Sequence, residues 1–546
     1  MGYKEKASRD QIMLLPDSVE EYVSDENPVR VIDAFVDSLN MKDLNFTKST
    51  PAATGCPAYD PSDLLKLYVY GYYNRIRSSR KLMTECGRNV EVMWLMGKLV
   101  PDFRTISDFR KENAISLKLV FKEFVKLCDK LKLYNKEITY VDGTKFRAQN
   151  SNDKCFNKDA LDRKLANIDE KISAFLKSMD ETDECEIDDA LTAEQVKAAL
   201  EELHERKEKY EGYRDYLKES GETQILETDP EARRMHSRNG FHCSYNVQAA
   251  VDSGSHLIAE YEVTNHNTDQ GLLHKVGEMA KKALGVETIE VVGDKGYESR
   301  ADILNCLYNG IVPNVALKYD KTERIFNIDY EEAEITEEIR SSSKPEDIQK
   351  CLHAGVLPKC YENTIVKVEL QEQSVIGCFT RVDENTVICP IGQTLTKLTS
   401  RGNSIEYRSK DVCRQCPNRC TPSQEAKTVR FGPEATHVAV WMYGNSRTEV
   451  IRPPDDHVYH NAFFRKDAPK KKVVISISVD KEKQKQRMCH SEHPFGTVKW
   501  YGGAHYLLCR GKKKVTGEIG LSFLAYNIRR AISLVGAPAL IAASRG

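Results

Sequence analysis

The stretch EITYVDGTKFRA, residues 137–148, decides the reading of this 546-residue chain. Ile138, Thr139, Tyr140 and Val141 are β-branched or aromatic, the composition of a strand, and after Asp142-Gly143 the alternation resumes through Phe146. A sheet begins here. The same texture returns in HCSYNVQAAVD (242–252), in HLIAEYEVTN (256–265) and, after a helix predicted over about 269–284, in IEVVGDKGYES (289–299). Consecutive strands followed by helix–strand alternation predict an α/β fold with a mixed-sheet core. Asp142 ends the first apolar run and Asp294 ends IEVVG, so two strands deliver carboxylates at their ends. Functional groups gather at such ends in open α/β sheets, and adjacent strands would bring two Asp side chains near enough to share a divalent metal. A turn role explains either Asp alone; the coincidence of the two favours chemistry.

Outward from this core, residues 1–135 read as a helical N-terminal domain. Leu64, Leu65, Tyr68, Val69 and Tyr72 recur at helical spacing, the turn RIRSSRK (75–81) follows, and Leu82, Met83 and Cys86 resume the apolar series, a helix-turn-helix pattern. Arg75, Arg77 and Arg80 beside Ser78 and Ser79 suit phosphate, since guanidinium and hydroxyl groups both donate to its oxygens. A further helix opens in PDFRTISDFRKEN (101–113). Residues 161–228 form an acidic helical-hairpin insertion and 318–474 a Cys-bearing one, leaving 136–160, 229–317 and 475–546 as a discontinuous catalytic core.

A third carboxylate is Glu492 in SEHPFGTVKW (491–500), where Ser491 reads as an N-cap and Pro494 as a first-turn residue. Lys499, seven residues on, would share the helix face of Glu492. From Lys481 to Arg530 eleven Lys or Arg stand against three Glu, net +8 in a chain whose 80 basic and 82 acidic residues leave only −2 overall. The chain is therefore not uniformly basic; an anionic partner is met locally. Two Asp and a Glu suit Mg²⁺ or Mn²⁺, hard cations that keep water and take few carboxylates. Arg233 and Arg234, in TDPEARRM (228–235), could reach phosphates near such ions; Asp229 is a rival ligand that reads as a turn residue, and Glu518 a rival third carboxylate.

With 40% hydrophobic residues most of the chain should fold, and no stretch approaches the roughly 20 apolar residues that span a bilayer, so a cytoplasmic protein free of membrane is expected. Most of its 16 cysteines then read as reduced core thiols. Cys389, Cys413, Cys416 and Cys420 are the exception: four thiolates could close a structural Zn²⁺ site, although their spacing is not that of a paired knuckle.

At these residues the chain resembles the DDE transposases of bacterial insertion sequences, in the group with a long N-terminal helical region and an RNase H-like core. The matching segments are YDPSDLLKLYVYGYYNRIRSSRKL with PDFRTISDFR, YVDGTK, TDPEARRM with YNVQAAVD, GDKGYES, SEHPFGTVK and RGKKKVTGEIGLSFLAYNIRR. Each is short; their number and order make the match specific. The resemblance implies Asp142, Asp294 and Glu492 as the catalytic triad and metal ligands, Lys499 at DNA phosphate, and Tyr297 as an aromatic that stacks on DNA or packs in the core. A tyrosine, arginine, glutamate, lysine signature of a related subgroup places an arginine near Glu492; Arg487 stands one residue too far away, with Met488 at the matching position. Double-stranded DNA, element ends and target, is the implied partner, and a homodimer the implied assembly. The implied activity is Mg-dependent strand cleavage and strand transfer at terminal inverted repeats. The alternatives are a domesticated, inactive DNA-binding protein and a metal-dependent nuclease without strand transfer.

Overall fold

A computed structural model describes residues 18–51, 53–55, 57–183, 193–237, 240–317, 322–390, 392–401, 404–416, 425–432, 435–443, 447–451 and 470–546. One compact unit comprises residues 1–303 with 481–546, the other residues 304–480.

In the first unit, polar caps and prolines set the N-terminal helices. Asn27 accepts from the Val29 N–H ahead of α1 (Pro28–Asp37), and Asp60 accepts from the Ser62 N–H ahead of α2 (Pro61–Tyr73). In both, Pro takes the first position, where its missing N–H costs nothing. After the turn at 74–78 come α3 (Ser79–Arg88), α4 (Val90–Leu95), α5 (Phe103–Glu112), capped by Asp102, and α6 (Ala114–Lys130). The helix-turn-helix expected around RIRSSRK is α2–turn–α3.

The central strand β1 (Ile138–Arg147) runs straight through Asp142-Gly143. Helices α7 (Lys158–Asp183) and α8 (Ala193–Ser220) form the expected insertion, closed at its base by Phe156, Leu161 and Leu217 with Tyr210, Tyr213 and Ile225 against them. Then follow β2 (Gly240–Asp252), β3 (Ile258–Thr264), α9 (Leu273–Leu284) and β4 (Ile289–Gly293). Antiparallel pairing joins β3 to β2 and β2 to β1, and parallel pairing joins β1 to β4. The strand Arg233–Ser237 covers the first residues of β2. A long helix, α10 (Lys512–Val535), packs on α6 where Gly517 admits it: a Cβ there would stand 2.6 Å from the Ala114 carbonyl oxygen.

Among the described residues, the second unit carries a nine-stranded sheet, with Phe379, Val387, Leu395, Tyr407, Val429 and Phe431 packed in one cluster. Its strand Lys470–Ser478 pairs with both Val366–Arg381 and Glu323–Asp329. The sequence reading assigns 475–480 to the core instead, because one strand-like run carries no mark of its partner. Among the described residues no helix is long and apolar enough to cross a membrane.

Candidate active site

The register of β1 and β4 brings the two aspartates together. Parallel pairing matches Thr139 to Val291 and Tyr140 to Val292, and β4 stops at Gly293, just before Asp294, which lies near enough for its charge to raise the Asp142 carboxyl. The paired strand β4 ends at Gly293 while β1 continues, so Asp142 lies mid-strand, at the point where its neighbour stops. Burial pushes the Asp142 carboxyl up to about 6; Arg487 and the Gly143 N–H oppose the rise, and Asp294 adds to it. Arg487 Nη1 lies 3.8 Å from Asp142 Oδ2, and Gly143 N donates to Oδ1 at 2.9 Å. Asp294 caps the turn Lys295–Tyr297, accepting from Gly296 N at 2.7 Å.

A continuous helix over 481–501 lies across these strand ends. Tyr140 donates to Gln486 Oε1 at 3.3 Å, and its ring stacks on His490 with centroids 4.5 Å apart. Arg487 and Ser491, one turn apart, face Asp142. Two turns of this helix, Met488–Glu492 and Thr497–Tyr501, are π-helical. Each π turn accommodates an extra residue and rotates the downstream side chains by about 100° around the axis. This overturns two expectations. Ser491 is buried inside the helix rather than capping it, and Glu492 and Lys499 do not share a stripe: Glu492 is exposed, whereas Lys499 points inward. Lys499 Nζ donates to Thr144 Oγ1 at 2.6 Å and to the Lys145 carbonyl at 2.7 Å, and burial lowers its pKa to about 8. In this structure it clamps the helix to β1.

The remaining expected DNA contacts divide sharply. Arg75 is exposed, its guanidinium carbon 3.2 Å from the Tyr501 ring centroid. Arg80 and Arg234 are also exposed, over Phe103 and Phe241. Arg77, expected at a phosphate, is buried, and its guanidinium serves the Gly503 and Tyr506 carbonyls and Glu518. Arg233 is held by both carboxylate oxygens of Glu222 at 2.9 Å. Tyr297, the expected stacking residue, is fully buried and donates to Gln248 Oε1, which decides for the core. Of the rival carboxylates, Asp229 accepts from Tyr245 and the Gly511 N–H, and Glu518 is the partner of Arg77.

No sequence motif marks Asp269. Its Oδ1 accepts from Asn246 Nδ2 at 2.8 Å and Gln248 Nε2 at 2.7 Å, and Lys145 Nζ lies 3.9 Å from Oδ2. The one signal that could have found it is Asn246 and Gln248 themselves, two polar residues on one face of a buried strand, each of which needs partners.

Carboxylates are the donors a hard cation takes, and the half-buried pair has a neighbouring cation, Arg487, at Asp142. Among the described residues, however, no three His, Cys, Asp or Glu side chains stand close enough to hold an ion. In the second unit, Cys389 and Cys413 pack against the hydrophobic cluster, Gln393 N points to Cys389 Sγ at 3.3 Å, and Cys416 is partly exposed; Cys420 lies outside the described residues.

Residues 17–112 match a family model described as "Transposase domain (DUF772)". No curated protein matches the chain. A solved structure titled "Cryo-EM structure of piggyBac transposase synaptic complex with hairpin DNA (SNHP)" is similar at 8% identity, covering 95% of this chain and 79% of that one, with a TM-score of 0.26, a level at which the likeness carries no argument.

Proposed function

We propose that the chain is a DNA transposase with an RNase H-like core, which cleaves element ends at Asp142 and Asp294 and transfers them to target DNA. The observation that carries this reading is the pair of neighbouring aspartates, Asp142 on β1 and Asp294 just past the end of β4, crossed by a basic helix. The strand order β3–β2–β1–β4, antiparallel and then parallel, supports the core assignment, and the match over residues 17–112 supports the transposase class.

In this reading Asp142 and Asp294 hold Mg²⁺ or Mn²⁺, and Glu492, next in sequence to the Ser491 that borders Asp142, is the third acidic residue. The metal, when bound, supplies activation of the attacking oxygen and stabilisation of the leaving one. The protein's own part is to keep two half-buried carboxylates near one another, with Arg487 beside Asp142. Exposed Arg75, Arg80 and Arg234 are the side chains available to phosphate, and two copies of the chain would bring two ends together.

The test supplies a pre-cut end, target DNA and Mg²⁺ to the full chain and to Asp142→Asn, Asp294→Asn and Glu492→Gln. Joined products from the wild type alone support the reading. Hydrolysis without joining makes the protein a nuclease, and end binding with neither reaction makes it a DNA-binding protein only.

A further inference from the structure

We infer that Asp269 is a positioning residue for the aspartate pair, acting through Gln248 and Tyr297; this rests on the reading of Asp142 and Asp294 as the reactive pair. Asp269 lies between β3 and α9, outside every motif that marks the site, yet its carboxylate reaches the space between β1 at Gly143 and the turn after Asp294. A Cβ on Gly143, the residue after Asp142, would stand 2.6 Å from Asp269 Oδ1, and one on Gly296, two residues after Asp294, would stand 3.6 Å from Oδ2.

The hydrogen bonds run in one direction. Asp269 Oδ1 accepts here, so the amide of Gln248 must turn its Nε2 toward it, which leaves Oε1 to face the other way. There Oε1 accepts from the Tyr297 hydroxyl. Gln248 Nε2 also donates to Asn246 Oδ1 at 3.1 Å, and Asn246 Nδ2 returns to Asp269 Oδ1, so the three side chains fix one another. Gln248, Asn246 and Tyr297 are fully buried, where a mis-turned amide would strand polar atoms without partners. Tyr297 is three residues beyond Asp294, in the turn that Asp294 caps. Asp269 thereby governs the turn of the second aspartate through Gln248 and Tyr297, while Gln248, opposite Gly143 in register, fills the space beside the first.

Gly143 is explained by the same network. It has no left-handed backbone to demand glycine; a Cβ there would stand 2.2 Å from Gln248 Nε2. The Asp-Gly pair that resembles a turn signal in the sequence is room kept for Gln248 and Asp269.

The experiment uses the full-length protein and two readouts: Mn²⁺ binding followed by the loss of the free-ion electron paramagnetic resonance signal, and DNA-end cleavage with kcat and KM separated. Asp269→Ala should raise the half-saturating Mn²⁺ concentration and lower kcat by about 10- to 100-fold, the usual span for an outer partner, with KM for DNA unchanged. Asp269→Asn keeps an oxygen that can accept from Gln248 and Asn246 and should stay within about threefold of wild type, on the same footing. Gln248→Met should match Asp269→Ala, and the double variant should add nothing to either single one, since the two act as a unit. Tyr297→Phe, which removes one hydroxyl from the core, keeps the test open should Asp269→Ala fail to fold, and should shift Mn²⁺ binding in the same direction. Wild-type Mn²⁺ binding and kcat in Asp269→Ala would overturn the inference alone. So would an Asn variant as impaired as the Ala variant, because the charge rather than the orientation would then matter. A wild-type protein that neither binds Mn²⁺ nor cleaves DNA would remove the underlying reading, and this inference with it.

Discussion

Replacing Arg77 by Met tests whether the basic turn after α2 faces DNA or the interior. Its side chain is 8% exposed and that of Glu518 only 1%, with Nη2 2.6 Å from Oε1. The guanidinium also donates at 2.7 Å to the carbonyls of Gly503 and Tyr506. Glu518 in turn accepts from the Leu508 and Cys509 N–H groups, at 2.9 and 2.8 Å, so the pair ties the α2–α3 turn to the approach to α10. Met leaves Glu518 buried with its counter-charge gone and strips the two carbonyls of their donor. Breaking a buried pair from one side costs about 3–5 kcal/mol, a large part of the roughly 5–15 kcal/mol a domain has to lose. Adding Glu518→Gln keeps an acceptor for the two N–H groups and removes the orphaned charge, so the double variant should recover about 1–3 kcal/mol. Urea unfolding of the wild type and the two variants measures both quantities. The second arm is DNA binding at several salt concentrations. If residue 77 neutralised a phosphate, its replacement would flatten the slope of log K against log salt by about 0.9; the buried geometry leaves the slope of a folded Arg77 variant where it was. A variant within about 1 kcal/mol of wild type, or one whose slope flattens by that full amount, would refute the reasoning.

Two other perturbations have outcomes set by the structure. Gly143→Ala forces a Cβ to within 2.2 Å of Gln248 Nε2, in a space closed by Asp269, and should cost about 1–3 kcal/mol and most cleavage activity; a variant with wild-type melting and rate would show that the network yields without effect. His256 is held at about 4 by burial first and then by His490, Arg530 and His493, with Asp252 opposing. Between pH 6.5 and 4 the unfolded chain takes the proton that the folded one refuses, so this contribution is complete above about 6.5 and is lost as pH falls toward 4. His256→Asn, which suits the positive φ of 60° at that position, should flatten the stability profile in that window by on the order of 1 kcal/mol, and an unchanged profile would remove His256 as its cause.

The parts of the fold that could be read from the sequence are those whose cause is local. Asp60 before Pro61 writes its own helix start, and the β-branched run at 138–141 writes its own strand. The aspartate pair belongs to this class in half its meaning: each Asp follows an apolar run, but only the parallel register of β1 with β4 makes them neighbours. The helix over 481–501 shows the opposite case. Ser491, Glu492 and Pro494 have every local mark of a helix start, and the chain instead enters already helical from Lys481. Proline has no N–H to give, and the flanking π turns change the bonding ladder around it, a solution with no residue signature of its own. The consequence reaches the chemistry, because the added rotation turns Lys499 onto β1 and leaves Glu492 in solvent.

Arg77 and Asp269 mark the same boundary from two sides. Arg77 sits in a basic serine-rich turn that reads as a phosphate site, yet its partner Glu518 is 441 residues away. Asp269 sits in an unremarked loop and reads as nothing, yet 21 residues back the strand carries Gln248, whose amide it orients. In both cases the composition of the segment is a poor guide, and the deciding question is where a buried polar atom finds its partner. For Arg77 that question assigns the guanidinium to the interior and leaves Arg75 and Arg80, on either side of it, exposed. For Asp269 it adds a carboxylate to a site that, by motif alone, had only three.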